Sequence, residues 1–391
     1  MNTVHKGVWA PDGEVDLVGA SLFDAPVNWP VMVLRRSAVE SNIAAMAEYC
    51  GRHGVLLAPH GKTTMVPQLF QAQLDAGAWG ITVATPHQAL LARRFGVGRV
   101  LLANEVLDPA VLRWAARESA GGWEFLCYVD SDEGVAVLRD ALAGSPGRVG
   151  VFIEMGYPDG RTGCREVADA ARLASSASAV GGVEVVGVAG FEGLLETHDE
   201  VRGFLDTLVA AATAVAPVAR SPLIISAGGS RFFDDVVASF GPPARAHGWT
   251  VLLRSGCYLS HDHGFYATNS PFSRDPAHGA LQPALEVWAQ VLSTPEPGLA
   301  LLGAGKRDLP SDLGLPVALA VRGRDGNERP VSTVELAALN DQHGYLRGVD
   351  ARPGELVRLG ISHPCTAFDR WPVIPVVDDD YRVVDLYHTH F

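Results

Sequence analysis

VLLAPHGKTTMVPQLFQAQLDAGAWGITVA, residues 55–84, reads as a strand, a loop, a helix and a second strand. The apolar runs VLLAP (55–59) and GITVA (80–84) are short and bounded, and the stretch between them carries helical spacing until Gly77 falls where a C-cap belongs. The same unit recurs along the chain. Further strand candidates are RVLLA (99–103), EFLCYV (124–129), VGVFIE (149–154), VEVVGVAG (183–190), LIISA (223–227) and TVLLR (250–254), separated by helical patterns such as PHQALLARRFG and HDEVRGFLDTLVAAA. Eight strands alternating with helices predict a closed (β/α)8 barrel, in which function resides in the loops at the strand C-termini.

Upstream, VMVLRRSAVESNIAAMAEYCG (31–51) reads as a strand then a helix leading into the barrel, with Ser37 as N-cap and Glu40 completing a capping box. Downstream, SPFSRDPAHG (270–279) breaks the pattern. Beyond it, ALEVWAQVL, LPVALAVRG, ELVRLGIS and YRVVDLYHTHF read as strands joined by turns. The expected organisation is a barrel over residues 25–275 and a mainly β C-terminal domain over 276–391, which residues 1–24 join. A chain of 391 residues exceeds the roughly 250–300 at which a single core stops growing, as two domains require.

Hydrophobic residues at 48% and charged residues at 19% describe a soluble α/β protein. The balance of 31 Lys+Arg against 44 Asp+Glu, a net −13, argues against nucleic acid or anionic membrane as partner. MNTVHKGVWAPDGEVD lacks a signal-peptide pattern, and no apolar run is read as approaching the roughly 20 residues of a membrane span. Five scattered cysteines suit thiols in a reducing compartment, so the expected location is the cytoplasm.

The loops carry the chemistry. After the first barrel strand, APHGKTT sets Lys62 at the barrel mouth beside Gly61. Such a lysine can condense with an aldehyde, although most lone lysines are simply solvated. SAGGS (226–230) and RSGCY (254–258) follow strands seven and eight, where this fold commonly binds phosphate on backbone N–H groups. Ser226, Gly228, Gly229, Ser230, Gly256, Cys257 and Tyr258 are the candidates there. In EMGYPDGRTGC (154–164), Arg161 is placed to face a cofactor oxygen or a substrate carboxylate, or else to make a surface ion pair. SHPCTAFDRW (362–371) holds His363 and Cys365 one residue apart, on one face if extended. That pair suits Zn²⁺ with open positions, though His-x-Cys alone is more often packing. HDHG (261–264) is read as structural.

LAPHGKTT resembles the pyridoxal-phosphate (PLP) lysine motif of the D-serine dehydratases, D-threonine aldolases and related D-3-hydroxy-amino-acid enzymes, and the resemblance continues through EMGYPDGRTGC, SAGGS, RSGCY, GAGKRD and SHPCTAFDRW. It implies an alanine-racemase-like dimer, a PLP Schiff base on Lys62, and a divalent metal, zinc, on His363 and Cys365. Cys365 favours the dehydratase branch, because the aldolases of this family tend to carry His-x-Asp. The implied activity is conversion of a D-β-hydroxy amino acid, of the D-serine or D-threo-3-hydroxyaspartate type, to a 2-oxo acid and ammonia. The alternatives are aldolase-type C–C cleavage, a non-catalytic PLP carrier, and a metal-dependent barrel hydrolase. Two departures bear on the substrate: GKTTM lacks the second basic residue often seen there, and Ser255 stands where proline is usual.

Overall fold

The computed structural model describes residues 5–9 and 16–391. It divides into two compact units, one of Ala47–Lys62 and Leu69–Gly256, the other of Met1–Met46, Thr63–Gln68 and Cys257–Phe391. Among the described residues the first strand and helix are β1 (Val31–Arg35) and α1 (Arg36–His53). Ser37 lies inside α1, and its hydroxyl donates to Asp379 Oδ1 at 2.7 Å instead of capping the helix. The capping box is found at Thr197 and Glu200, which exchange side-chain and backbone bonds at the start of a later helix.

The first unit holds eight parallel strands: β2 (Leu56–Leu57), β3 (Ile81–Val83), β4 (Arg99–Glu105), β5 (Glu124–Val129), β6 (Val149–Met155), β7 (Val183–Gly190), β8 (Ile224–Ala227) and β9 (Thr250–Leu253). Their order is β2-β9-β8-β7-β6-β5-β4-β3. The ends of that series meet at a parallel bridge between His60 and Thr82, and the Thr82 N–H donates to Pro59 O at 2.9 Å. This closes the barrel. Its interior is packed by Ala58, Leu101, Leu126, Phe152, Val186, Ile224 and Leu252, each large side chain contributing about 1.5–3 kcal/mol by leaving water.

Between the strands run α2 (Pro67–Asp75), α3 (Pro86–Arg94), α4 (Pro109–Ser119), α5 (Asp132–Leu142), α6 (Val167–Ser178), α7 (His198–Val215) and α8 (Phe233–His247). Thr85, Asp108 and Ser131 cap three of them, each accepting a backbone N–H with its side chain. The stretch His198–Val218 is, by length and composition, apolar enough to cross a membrane, which corrects the reading that no run approaches that length. Its apolar residues Val201, Leu205, Leu208, Ala212 and Val215 are buried, at the spacing of one helix face, as a barrel helix requires. After β9 the pattern changes: the chain continues with α9 (Phe265–Asn269) and α10 (Pro271–Arg274), each about one turn.

The second unit is built on β10 (Leu285–Glu296), β11 (Leu299–Leu302), β12 (Val317–Arg322), β13 (Glu328–Pro330), β14 (Glu335–Leu339), β15 (Gly344–Arg347), β16 (Leu356–Gly360), β17 (Val373–Val377) and β18 (Val383–His388). With β1 they form a ten-stranded sheet in the order β13-β12-β16-β10-β1-β17-β18, while β11, β15 and β14 continue from the bent β10. β1 pairs antiparallel with β10 (Val31↔Trp288) and parallel with β17 (Leu34↔Val376). Strand 31–35 therefore belongs to this sheet and not to the barrel. Val31, Met32, Val33 and Leu34 are all buried, and a strand with two apolar faces carries no period that says which sheet it joins.

Leu17 and Leu22 pack with Val33, Trp288, Val377 and Val383, and the Leu22 N–H donates to Tyr381 O at 2.8 Å. Of residues 1–24, positions 1–4 and 10–15 lie outside the described residues.

Candidate active site

At the barrel mouth, β2 ends at Leu57 and the chain tightens into a one-turn 3-10 helix, Gly61–Thr63, that contains Lys62. A Cβ on Gly61 would lie 2.5 Å from the Phe70 ring, so no larger residue fits beside the lysine. The preceding His60 is half-buried, but its Nδ1 is shut off from solvent and has no hydrogen-bond partner. Burial, and then the charges of Lys62, Arg254 and Arg161, hold His60 well below its ordinary pKa, so the ring is neutral. The three cations that act on one ring converge on this mouth. Arg161 is itself exposed, with its guanidinium 4.4 Å from the centre of the Phe191 ring.

Arg254, which sequence reasoning missed, is buried at the end of β9. It donates to Ser226 Oγ and to Gly190 O, each at 2.6 Å. Ser226 in turn donates to Leu252 O at 2.9 Å, so this hydroxyl orients the arginine inside the barrel wall. The N–H groups of Gly228 and Gly229 donate to the carboxylate of Glu192 at 3.2 and 2.6 Å. An anion thus already lies on the two amides that the loop order assigns to a phosphate. Gly228 has φ +93°, and a Cβ there would lie 2.7 Å from Leu253; a Cβ on Gly256 would lie 2.5 Å from the His60 carbonyl oxygen. Ser230 is half-buried at the same loop. A lysine, anion-holding amides, a buried guanidinium and the unpartnered hydroxyl of Tyr128 give this mouth the donor set that a phosphorylated pyridine aldehyde needs.

A trio of carboxylates, also unforeseen, stands at the ends of three successive strands: Glu105 on β4, Asp130 after β5 and Glu154 on β6, with ligand oxygens within 4.8 Å of one another. Burial, and then the hydrogen bond and charge of Glu154, push the Glu105 carboxyl well above the usual carboxylate range. The signal for it was available, an acidic residue at each strand end, but spacing alone did not show that the ends converge.

In the second unit His363 and Cys365 lie in the loop after β16. Cys257 joins them, and the three offer ligand atoms within 4.8 Å of one another. Cys257 Sγ is 3.6 Å from Cys365 Sγ, and Asp312 Oδ2 is 2.6 Å from His363 Nδ1. Burial lowers the pKa of this imidazole, but the bonds to Cys365 and Asp312 outweigh it and raise the value to about 9. Two sulfurs and an imidazole nitrogen are donors for a borderline-soft cation. Tyr258, next to Cys257, is buried.

The HDHG segment serves the loop itself. Asp262 Oδ1 accepts the N–H groups of Gly264, Tyr266 and Ala267, which starts α9. His261 and His263 are held by burial at about 4 and stay neutral.

Residues 284–377 match the "Putative serine dehydratase domain" family. The chain is 27% identical over 368 residues to the D-threonine aldolase of an Arthrobacter species, covering 91% of this chain and 90% of the relative. The solved D-threonine aldolase of Filomicrobium marinum superposes with a TM-score of 0.78 at 23% identity, covering 93% of this chain and 95% of that one. The D-threo-3-hydroxyaspartate dehydratase of Delftia sp. HT23 gives 0.72 at 22% identity, covering 93% and 97%. A D-threo-3-hydroxyaspartate dehydratase is also solved as a His-to-Ala variant and, two positions on, as a Cys-to-Ala variant in the metal-free form. Residues 34–234, just over half of the chain, match "Alanine racemase, N-terminal domain", and the protein belongs to that family, with its barrel followed by a mainly β domain.

Proposed function

We propose that this protein is a PLP- and metal-dependent lyase that eliminates water from a D-β-hydroxy amino acid to give an enamine, whose hydrolysis takes up one water and releases a 2-oxo acid and ammonia. Its substrates are of the D-serine or D-threo-3-hydroxyaspartate type. For D-serine the net reaction yields pyruvate and ammonia, which balances atoms without an oxidant. The observation that carries the dehydratase reading is Cys365, a thiol rather than a carboxylate beside His363, in a site that also contains a second sulfur. The metal-free Cys-to-Ala form of a D-threo-3-hydroxyaspartate dehydratase supports the same pairing.

PLP, when bound, supplies an electron sink for negative charge at the substrate Cα. A divalent metal on His363 and Cys365 supplies Lewis acidity for the departing β-hydroxyl. Lys62 would hold the cofactor aldehyde through Nζ, and the same atom, when free, would take the proton from Cα. The Gly228 and Gly229 amides, which here bond the Glu192 carboxylate, and the Gly256 loop would hold the phosphate. Arg254, fixed by Ser226 and Gly190, would present its guanidinium at the mouth, and Arg161 would meet a cofactor oxygen or the substrate carboxylate. Asp312 orients the His363 ring through Nδ1. We place the enzyme in the cytoplasm as a homodimer; the family resemblance and the scattered thiols support this.

A second reading has its own support, since a D-threonine aldolase and 3-hydroxy-D-aspartate aldolases match this chain over 82–90% of their own length. An aldolase needs only the hydroxyl proton removed while Cα–Cβ breaks, whereas a dehydratase must expel the hydroxyl itself. One screen separates them: D-serine, D-threonine and both D-3-hydroxyaspartates, assayed for ammonia, 2-oxo acid, glycine and aldehyde or glyoxylate. Ammonia and 2-oxo acid are expected. Glycine plus aldehyde, with no ammonia from any of the four, would replace the dehydratase with the aldolase.

A further inference from the structure

We propose that Cys257 is a third protein ligand of the metal, so that the site holds a zinc-class cation with two thiolates and one imidazole. This rests on the reading that His363 and Cys365 bind a metal, and it reassigns Cys257 from the phosphate loop.

The geometry is that of one shared cation. Two sulfurs bound to a tetrahedral Zn²⁺ at about 2.3 Å stand about 3.8 Å apart, and a sulfur and a nitrogen bound at about 2.3 and 2.0 Å stand about 3.5 Å apart. Cys257 Sγ and Cys365 Sγ are separated by 3.6 Å, and the histidine nitrogen lies within 4.8 Å of both. Asp312 occupies His363 Nδ1 at 2.6 Å, which leaves Nε2 to face the metal and places a carboxylate behind the ligand imidazole.

Cys257 is buried at 8% exposure, where a thiolate is costly unless a cation compensates it. Two sulfurs also select among metals. Thiolates favour Zn²⁺ over the oxygen-seeking Mg²⁺, Mn²⁺ and Ca²⁺, and three protein ligands leave one tetrahedral position open for a substrate oxygen, as catalytic zinc sites do.

The test is the zinc K-edge spectrum of the full-length, PLP-loaded, fully reduced protein, with zinc content and competitive zinc affinity measured on the same samples. We expect two sulfur neighbours per zinc in the wild type and one in Cys257→Ser and in Cys365→Ser. The affinity of either variant should fall by more than the roughly 10–100-fold typical of losing an outer-shell partner. A single sulfur in the wild type, unchanged in Cys257→Ser, overturns the third ligand and leaves the His363–Cys365 site standing. No zinc bound by the wild type, or the same coordination in His363→Ala, overturns the metal reading beneath it. A Cys257–Cys365 disulfide in the zinc-loaded protein, seen by non-reducing mass spectrometry, also overturns the proposal. The wild-type spectrum decides even if a variant folds poorly.

Discussion

The barrel mouth and the Cys257–His363–Cys365 cluster differ in how they are made. At the mouth, backbone and strand ends do most of the work: Gly228 and Gly229 present N–H groups, Gly61 and Gly256 leave room, and Arg254 is held by a strand serine and a strand carbonyl. The second cluster is made of side chains alone, from a loop after β9, a loop after β16, and Asp312 between β11 and β12 behind the imidazole. A backbone site is announced by glycines and by strand order. A side-chain site is announced only by residue type, and its membership depends on where distant loops end.

The largest expected effect lies at the mouth. Lys62→Ala should lower turnover by about 10²–10⁴-fold, the range for losing a positioned acid–base group. The borohydride-sensitive visible band should vanish with it. Peptide mapping of the reduced wild type should find the pyridoxyl group on Lys62; finding it on Lys306, the lysine of the GAGKRD segment in the second unit, would move the cofactor out of the barrel unit altogether.

Next comes the side-chain cluster. Chelation or Cys365→Ala should cut ammonia release from D-serine at least about a hundredfold, since Lewis-acid stabilisation contributes several kcal/mol. PLP content, read from the visible band, should not change, because Lys62 and the glycine loops belong to the other unit. Parallel loss of PLP and metal would erase the distinction between the two regions.

Gly228→Val probes the backbone character of the mouth. A Cβ there meets Leu253 at 2.7 Å on a residue with φ +93°, so the loop must shift. PLP affinity is expected to weaken about tenfold, equivalent to about 1.4 kcal/mol, with the metal content unaltered. Unchanged occupancy would mean that these amides serve Glu192 alone.

The smallest effect concerns the carboxylate trio. Glu105 keeps its proton to higher pH in the folded chain than in the unfolded one, because of burial first and Glu154 second. The unfolded state therefore loses a proton that the folded state retains, and stability falls as pH rises above the usual carboxylate range. Glu105→Gln should remove that slope and raise the thermal midpoint at pH 7–8 by a few degrees, taking about 2–4 °C per kcal/mol for a unit of this size. Equal midpoints at pH 5 and pH 8 in the wild type would show that the trio is already compensated.

Much of the barrel could be read directly from residues 55–256, because each strand is a bounded apolar run and each helix carries its own period. All eight expected strands are present. The errors fell where local pattern has no reach. Ser37 looked like an N-cap, but a longer helix that starts at Arg36 and the distant Asp379 took its hydroxyl. Val31–Arg35 is apolar on both faces, so only pairing with β10 and β17 could assign it to a sheet.

By itself the amino-acid sequence determined the alternation of strands and helices, the placing of Lys62 and the glycine loops at strand ends, and the nearness of His363 to Cys365. These follow from backbone geometry over a few residues. Only tertiary structure decided that Cys257 stands beside Cys365, that Asp312 backs His363, that Glu105, Asp130 and Glu154 converge, and that Arg254 points inward to Ser226. Those contacts join residues far apart in the chain, and their distances are set by how strands pair and loops close, which no local period encodes.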